Sequence, residues 1–348
     1  MKGLKRKRFF IRLLHWEFWP MYIVYIPLYI YYVWLALKAR NPWFWSASNP
    51  GIETGGMLGE SKMDIFNIIP SHLKPVTLFI QSGTSLYSVQ NILKEKELSY
   101  PIICKPDRGE RGFQVSKVHN EKELEQYIMK NKVDYLIQSF CNYPLELGVY
   151  FCRYPWEEKG QVFSVVKKEF LYITGTGKHT IRELILQNKR ALLQWEKLDT
   201  RLGHRMGEIL PEGEHLELEP IGNHARGTKF LNANSIIDEK LNTVFDHITR
   251  QIPNVYFCRY DLKTTSEADL KEGKNIFIVE LNGVGAEPAH IYDPSYKLVY
   301  AWRDLIRQWK MVYKISVYNH RHGVKYMTTR GVRAHLKMMK AYRILAES

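Results

Sequence analysis

Residues 275–285, NIFIVELNGVG, decide the fold of this 348-residue chain. The apolar run predicts a strand over Asn275–Leu281 that ends on an acid and an amide. Side chains repeat every two residues along a strand, so Glu280 and Asn282 share one face. The two glycines that follow let the chain turn away without crowding that face.

A second strand, predicted over Tyr256–Leu262, carries the matching half of the pattern in FCRYDLKT. Arg259 and Asp261 share one of its faces, and a polar connection of about a dozen residues lets the two strands pair as a hairpin. Asp261, Glu280 and Asn282 would then meet beside one guanidinium. Such hard oxygen ligands suit Mg²⁺ on nucleotide phosphates. An exposed, ion-paired hairpin is the alternative, which the apolar residues on the opposite face disfavour.

Two further stretches could contact a nucleotide. In YPIICKPDRGERGFQ, a strand delivers Lys105, and Gly109 and Gly112 let a loop present backbone amides to an anion, although a plain hairpin explains the stretch equally well. In YLIQSFCNYPLELG, a strand ends at Gln138–Phe140 and Glu146 follows, which suits an adenine edge and ribose hydroxyls. A solvated surface carboxylate is the alternative for Glu146.

The rest of the chain mixes strands and helices without strict alternation, which favours an α+β fold in two lobes. Further strands are predicted over Val76–Gln81, Ile102–Lys105, Tyr135–Ser139 and Val162–Val166. Helices are predicted over Leu86–Leu98, Glu121–Asn131, Thr180–Leu198, Asp238–Gln251 and Tyr296–Tyr318, with Thr180 and Glu183 as a capping box.

From about Glu60 to Pro294 these pieces resemble the ATP-grasp ligases, the superfamily that includes D-alanine–D-alanine ligase and cyanophycin synthetase. The most specific match is Arg259-x-Asp261 followed by Glu280-x-Asn282. The resemblance implies that Asp261, Glu280 and Asn282 bind Mg²⁺, and that Arg259, Lys105 and Arg226 are catalytic. It implies ATP contacts from Lys62, Lys105, Arg108, Gly109, Gly112, Gln138, Ser139, Phe140, Glu146 and Lys229.

The activity that this resemblance implies is an ATP- and Mg²⁺-dependent ligase that activates a carboxylate as an acyl phosphate for attack by an amine. The substrates would be small molecules or groups linked to a lipid or sugar. A catalytically inactive nucleotide-binding scaffold at the membrane is one alternative, and a nucleic-acid modifier is another. The complete metal pattern disfavours the first, and the location of the charge disfavours the second.

The net charge of +14 is concentrated at the two ends of the chain. Residues 1–12 hold six Lys or Arg and no acid, and residues 317–348 hold seven against one Glu, which leaves +2 for the rest. Basic ends on a nearly neutral body favour an anionic membrane surface over a nucleic-acid groove. The four cysteines form no CxxC pair and fit a reducing, cytosolic setting.

Phe18–Leu37 is an uncharged stretch of 20 residues, about the length of a transmembrane helix. The basic N-terminus would keep that end cytoplasmic, so a single span would strand the ligase domain from ATP. A helix bent at Pro20 and Pro27 that returns to the same side resolves the conflict, with the NPWFW stretch, Asn41–Trp45, as an interfacial anchor. A buried core helix is the alternative.

The predicted domain organisation has three parts. Residues 1–48 form the basic, membrane-associated segment, residues 60–316 form the ATP-grasp domain, and residues 317–348 form a basic tail. The nucleotide cleft lies between lobes of about 75–160 and 161–316. Many ATP-grasp ligases carry a substrate-binding domain ahead of these lobes, and here it is missing or reduced. Tail residues Arg330–Leu345 predict a helix that lies on a membrane or packs on the body.

Overall fold

The computed structural model describes residues 2–110, 112–219 and 222–348. Its helices in the first half of the chain are α1 (Lys2–Leu14), α2 (Met21–Val24), α3 (Ile26–Ala39), α4 (Lys62–Ile68), α5 (Leu86–Glu95) and α6 (Glu121–Lys130). Those in the second half are α7 (Ile181–Gln187), α8 (Lys189–Leu193), α9 (Trp195–Leu202), α10 (Glu239–Arg250), α11 (Glu267–Lys271), α12 (Leu298–Arg321) and α13 (Thr329–Glu347).

The strands form three antiparallel sheets. They are β1 (Thr77–Ile80), β2 (Ile102–Pro106), β3 (Ser116–Val118), β4 (Tyr135–Ser139), β5 (Leu145–Cys152), β6 (Gln161–Glu169), β7 (Leu171–Thr174), β8 (His215–Glu219), β9 (Lys229–Asn232), β10 (Phe257–Thr264) and β11 (Phe277–Asn282). The smaller main sheet has the order β1-β4-β2-β3, the larger has the order β11-β10-β5-β6-β9, and β7 pairs with β8. The predicted α+β class is confirmed.

The smaller sheet packs on α5 and α6. Val89 and Leu93 of α5 and Leu124 of α6 are buried against Ile102 and Ile137 of the sheet. Side chains of Ser85 and Asn120 cap the two helices by accepting hydrogen bonds from backbone amides, which fixes where each helix begins. This two-layer unit forms one wall of the cleft described below.

The larger sheet is covered differently on its two faces. Leu147 and Val149 of β5 face a core with Phe245 of α10 and Phe66 of α4. On the opposite face, Tyr150 packs in a core with residues of α3 and α12. Along β5 this second face passes from Tyr150 through Gly148 to Glu146, and Glu146 lines an open cleft. The functional face of the sheet is therefore the part that α12 leaves uncovered.

Several predicted boundaries differ from the structure. β5 pairs with β10 in the larger sheet, so the change of lobe falls between Ser139 and Leu145 rather than near residue 160. The single helix predicted over Thr180–Leu198 is broken, because Asn188 starts a new helix by accepting hydrogen bonds from two backbone amides. The capping box of Thr180 is present as predicted.

The predicted hydrophobic helix over Phe18–Leu37 is divided into α2 and α3. Pro20 precedes α2, and Pro27 lies in the first turn of α3, so the bends fall where the two prolines predict them. Among the described residues, no helix is both long enough and apolar enough to span a membrane. The predicted interfacial anchor is also wrong, since Phe44 and Trp45 are buried in the core with α12.

The tail helix is confirmed as α13, and it packs on the body. Val332 is buried and the ring of His335 lies 2.9 Å from the carbonyl oxygen of Leu58. Met339 lies against Gly59, where an added Cβ would come within 2.5 Å of its methyl carbon. Of the two predicted placements for this helix, the structure therefore supports packing on the body.

Candidate active site

The predicted hairpin is present, and its cross-strand pairs are those that the metal pattern requires. Asp261 of β10 lies opposite Glu280 of β11, and Arg259 lies opposite Asn282. The Arg259 guanidinium donates two hydrogen bonds of 3.0 Å to the Asp261 carboxylate. Burial opposes ionisation of Asp261, yet the fields of Arg259 and a neighbouring lysine hold its pKa below the usual value.

Gly148 makes room for this ion pair. It lies opposite Asp261 in the sheet, and an added Cβ would come within 2.7 Å of Val166 Cγ1 and 3.2 Å of Asp261 Oδ1. A larger residue would require the Val166 side chain to shift and would crowd the Asp261 carboxylate. The glycine in ELGVY therefore has a steric role in the cleft.

Lys168 of β6 is a site residue that the sequence analysis missed. Its ammonium lies 2.9 Å from Glu146 Oε1 and 3.7 Å from Asp261 Oδ2, and its side chain is 9% exposed. Glu146 is buried, so the predicted alternative of a solvated surface carboxylate does not hold. The predicted strand ended at Val166, and Lys168 lies two residues further on the same face of β6. Extending the strand's two-residue periodicity beyond Val166 would have found Lys168.

The three predicted magnesium ligands provide two carboxylates and one amide. Among the described residues, no group of three or more His, Cys, Asp or Glu side chains is arranged to hold a metal. The side-chain nitrogen of Asn282 is buried with no hydrogen-bond partner. A cation would bind the amide oxygen of Asn282, and two carboxylates with one amide oxygen are the hard donors that Mg²⁺ prefers.

Lys105 lies at the end of β2, as predicted, and lines the same cleft. Its ammonium is 3.3 Å from the carbonyl oxygen of Val279 and 4.7 Å from the centre of the Phe66 ring. Burial lowers the pKa of Lys105 to about 7, although the nearby Glu280 carboxylate opposes the shift. A lysine with so few protein partners can gain much from an anionic ligand.

The glycine loop is held by α4. The Asp107 carboxylate accepts hydrogen bonds from the Ser61 hydroxyl (3.0 Å) and the Met63 amide (2.9 Å). Lys62 donates to the carbonyl oxygens of Asp107 (3.3 Å) and Gly109 (2.6 Å), and it lines the cleft. Burial lowers the pKa of Lys62. Lys62 therefore shapes the loop as well as facing the cleft.

Two predicted ATP contacts point away from the cleft. Arg108 pairs with Glu53 at 2.8 Å and donates to the carbonyl oxygen of Gly59. Lys229 forms a partly exposed ion pair of 3.0 Å with Glu169, its cross-strand neighbour. In this structure the side chains of Arg108 and Lys229 are thus engaged outside the site.

Arg226 bridges the two sides of the cleft. It donates a hydrogen bond of 2.8 Å to the carbonyl oxygen of Gly112 and lies 3.4 Å from Glu219. Because Gly112 belongs to the glycine loop, this contact joins the loop to the opposite lobe. Arg226, for which the resemblance implies a catalytic role, therefore lines the cleft beside the glycine loop.

The far end of the cleft suits a flat aromatic ligand. This end is lined by Gln138, Ser139 and Phe140, and the Gln138 side chain donates a hydrogen bond of 2.8 Å to the Thr77 hydroxyl. The Phe140 ring has the ammonium of Lys117 3.8 Å from its centre and that of Lys263 5.4 Å away. A strand end flanked by an aromatic ring and cations can bind a nucleobase by stacking and backbone hydrogen bonds.

Glu287 is a second residue that the sequence analysis missed. It lines the cleft, its backbone carbonyl oxygen accepts a hydrogen bond of 3.3 Å from Arg259, and its carboxylate accepts one from the Tyr292 hydroxyl. Burial raises the pKa of Glu287 to about 7, although the Tyr292 hydrogen bond opposes the shift. It follows the metal pattern by five residues, and no spacing rule marked it.

Most of these residues line one cleft with a volume of about 1870 Å³. Its walls come from both main sheets, from the segment around Arg226 and from the N-terminal segment, including Phe18. Of the 15 predicted site residues named in the sequence analysis, 13 line this cleft, and the two that do not are Arg108 and Lys229.

Comparisons with solved structures find remote likenesses. The bifunctional glutathione synthetase from Pasteurella multocida is 13% identical, with 71% of this chain covering 36% of that protein at a TM-score of 0.40. The VanG D-Ala:D-Ser ligase from Enterococcus faecalis is 14% identical (72% and 61% covered, TM-score 0.38). The D-alanine–D-alanine ligase from Bacillus anthracis complexed with ATP is 11% identical (76% and 68% covered, TM-score 0.41).

No family model and no curated protein matches the chain. The chain spans about a third of the length of the glutathione synthetase and less than two thirds of VanG. All three similar structures are ligases or synthetases. Each TM-score is below 0.5, so the geometry of the cleft has to carry the assignment of function.

Proposed function

We propose that the chain is an ATP-grasp ligase that uses ATP and Mg²⁺ to join a carboxylate to an amine, with release of ADP and phosphate. The supporting observation is the register of β10 and β11, which pairs Asp261 with Glu280 and Arg259 with Asn282 inside a cleft that also contains Lys105. Three oxygen ligands, one guanidinium and one lysine are the groups that phosphoryl transfer to a carboxylate needs.

Asp261, Glu280 and Asn282 are the residues that would hold Mg²⁺, which when bound neutralises the phosphates of ATP. Lys105 adds a positive charge to the phosphates, and Gln138–Phe140 hold the base. Glu146 accepts hydrogen bonds from the ribose hydroxyls. No protein nucleophile is needed, since these residues act by positioning and charge neutralisation.

The reaction has two balanced steps. A substrate carboxylate oxygen attacks the γ-phosphorus, the bond to the bridging oxygen breaks, and ADP leaves. The amine nitrogen then attacks the acyl carbon, inorganic phosphate leaves, and the amine gives up a proton. Arg259 stabilises the oxyanion that forms on the acyl carbon, and Glu287 beside it accepts the proton.

Trapping with hydroxylamine tests this proposal without knowledge of the amine, because hydroxylamine converts an acyl phosphate into a stable hydroxamate. Purified protein is incubated with Mg·ATP, hydroxylamine and single carboxylates, and ADP and hydroxamate are measured. We expect one chemical class of carboxylate to give equal amounts of both. Arg259→Met should lower the yield by at least about 100-fold, and the exposed Lys167→Met should not change it.

The alternative function predicts a different result in the same assay. A catalytically inactive scaffold would bind Mg·ATP and release no ADP with any carboxylate. Hydroxamate formation that Arg259→Met leaves unchanged would also contradict the proposed site.

We propose further that the enzyme works at a membrane, on the face where ATP is available, as an enzyme of cell-envelope or surface-polymer synthesis would. At helical spacing along α2 and α3, five residues form an exposed apolar surface, which consists of Ile23, Ile26, Ile30, Val33 and Leu37. Cations lie against neighbouring aromatic rings, with Lys38 Nζ 4.4 Å from the centre of the Trp34 ring. Apolar and aromatic side chains beside cations suit an anionic lipid surface.

Vesicle flotation tests this attachment. The full chain should float with vesicles of phosphatidylcholine and phosphatidylglycerol, and less with phosphatidylcholine alone or at high salt. Ile30→Glu should abolish flotation, and Tyr87→Glu, at a position equally exposed on α5, should leave it unchanged. Equal flotation of both variants would contradict the attachment.

A further inference from the structure

The cleft is larger than a nucleotide requires. Its volume of about 1870 Å³ exceeds the roughly 300–1,000 Å³ of ordinary small-molecule pockets. The residues proposed for ATP account for one arm, between the two main sheets. The cleft lining also includes Arg226 and four apolar residues of the N-terminal segment, Phe9, Leu13, Phe18 and Ile23. The part of the cleft that these residues line is called the second arm here.

The N-terminal wall of this second arm is held in place by a buried ionic contact. Glu17 is buried, the Arg190 guanidinium donates to its carboxylate, and His224 Nε2 lies 3.0 Å from it. The Phe18 ring stacks on the His224 ring with centres 5.8 Å apart, and Arg190 lies 5.2 Å above Phe18. Ile11 of α1 adds apolar packing against α8. The N-terminal segment is therefore a fixed part of the cleft.

Three side chains of this wall are both in the cleft and exposed. Phe9 is 62% exposed, Leu13 52% and Ile23 41%, and all three line the second arm. Leu13 and Ile23 adjoin further exposed apolar residues, Leu14 at 76% and Ile26 at 54%. Ile23 belongs both to the apolar surface proposed to contact lipid and to the cleft lining, so the two are continuous at this residue, and Arg12 lines the cleft beside Leu13.

We propose that the second arm binds an amphiphile, whose polar end carries the reacting carboxylate or amine and whose apolar chain leaves the cleft over Phe9, Leu13 and Ile23. This inference rests on the proposed ligase function and deepens it by naming the class of one substrate. An apolar chain leaving along this route passes directly from the reaction centre to the exposed apolar surface. Burial of such a chain provides binding energy that a small polar substrate could not obtain from these residues.

The test uses a fluorescent amphiphile, dansyl-labelled dodecanoic acid, titrated into the full-length protein below its micelle concentration and without nucleotide. We expect saturable binding of one probe per chain, and much weaker binding of dansyl-glycine. Leu13→Glu and Ile23→Glu should each weaken dodecanoate binding at least about tenfold. The variants Leu14→Glu and Tyr22→Glu at adjacent positions are matched controls, since the wild-type side chains are exposed but do not line the cleft. They should change the affinity for the dodecanoate probe by less than about twofold.

Equal affinities of the probe for all four variants would overturn the inference, as would equal binding of the long and short probes. A dimer that Leu13→Glu dissociates, with no probe binding, would assign this surface to a second copy of the chain and also overturn it. Binding of Mg·ATP is measured separately on the same samples. Binding of ATP without binding of the amphiphile would contradict only this inference. Failure to bind either ATP or Mg²⁺ would contradict the proposed function.

Discussion

Replacement of Lys168 by methionine should destabilise the protein by about 3 kcal/mol. Methionine keeps the length and apolar stem of the side chain and removes only the charge that lies 2.9 Å from Glu146 and 3.7 Å from Asp261. Removing one partner of a buried ion pair typically costs about 3–5 kcal/mol, because the remaining charge is left without a counter-charge. Asp261 keeps Arg259, and Glu146 keeps only the more distant Lys263 at 4.0 Å, so the loss falls mainly on Glu146 and the expected cost is at the lower end.

Urea unfolding followed by tryptophan fluorescence measures this cost. Lys167→Met is the matched control, since Lys167 is the exposed neighbour on the same strand, and it should change the free energy of unfolding by less than about 0.5 kcal/mol. The double variant Glu146→Gln, Lys168→Met should lose less than the sum of the two single variants, because it leaves no unpaired charge. Additive losses, or a Lys168→Met protein as stable as Lys167→Met, would refute the reasoning.

Three other predictions follow from the site. Burial lowers the pKa of Lys105 to about 7, so ATP affinity measured by calorimetry should fall as the pH rises from 6 to 8 and the ammonium is lost. Lys105→Arg should flatten this dependence of affinity on pH, and parallel pH profiles for the wild type and the variant would contradict the role of Lys105. Burial raises the pKa of Glu287 to about 7, so the rate of ADP release should rise through pH 7 as the carboxylate forms, and a Glu287→Gln enzyme with the same rise would rule out its role as base. Tyr342→Phe removes a hydroxyl that accepts a hydrogen bond from the Arg108 amide and donates one to the Asp134 carbonyl oxygen, each at 3.2 Å. The variant should be cleaved faster by trypsin at Arg108, and its KM for ATP should rise about 2- to 10-fold. Unchanged values would show that α13 does not hold the glycine loop in place.

The metal hairpin could be predicted from the sequence because its geometry is local. Strand periodicity alone places Arg259 with Asp261 and Glu280 with Asn282, and a short connection leaves little choice but pairing. Lys105 was found for the same reason, since it ends an apolar run before a glycine turn. The direction of each side chain then follows from the strand.

Two residues that the sequence analysis did not find, Glu17 and Glu287, depend on long-range packing. Glu17 matters because it meets Arg190 and His224 from distant parts of the chain, and Glu287 because a non-local fold buries its carboxylate. The predicted anchor at Trp45 was wrong for a related reason, as α12 covers an aromatic run that hydropathy alone assigns to a membrane interface. Charge pairs and burial between distant segments leave no periodic signal in the sequence.

Calorimetric titration of ATP with Mg²⁺ and with EDTA tests the magnesium site most directly. The account predicts one Mg·ATP per chain for the wild type, with at least about tenfold weaker binding in EDTA, and loss of that Mg²⁺ dependence in Glu280→Ala and Asn282→Ala. Equal affinity with and without Mg²⁺ in the wild type, or an unchanged Mg²⁺ dependence in both variants, would contradict it.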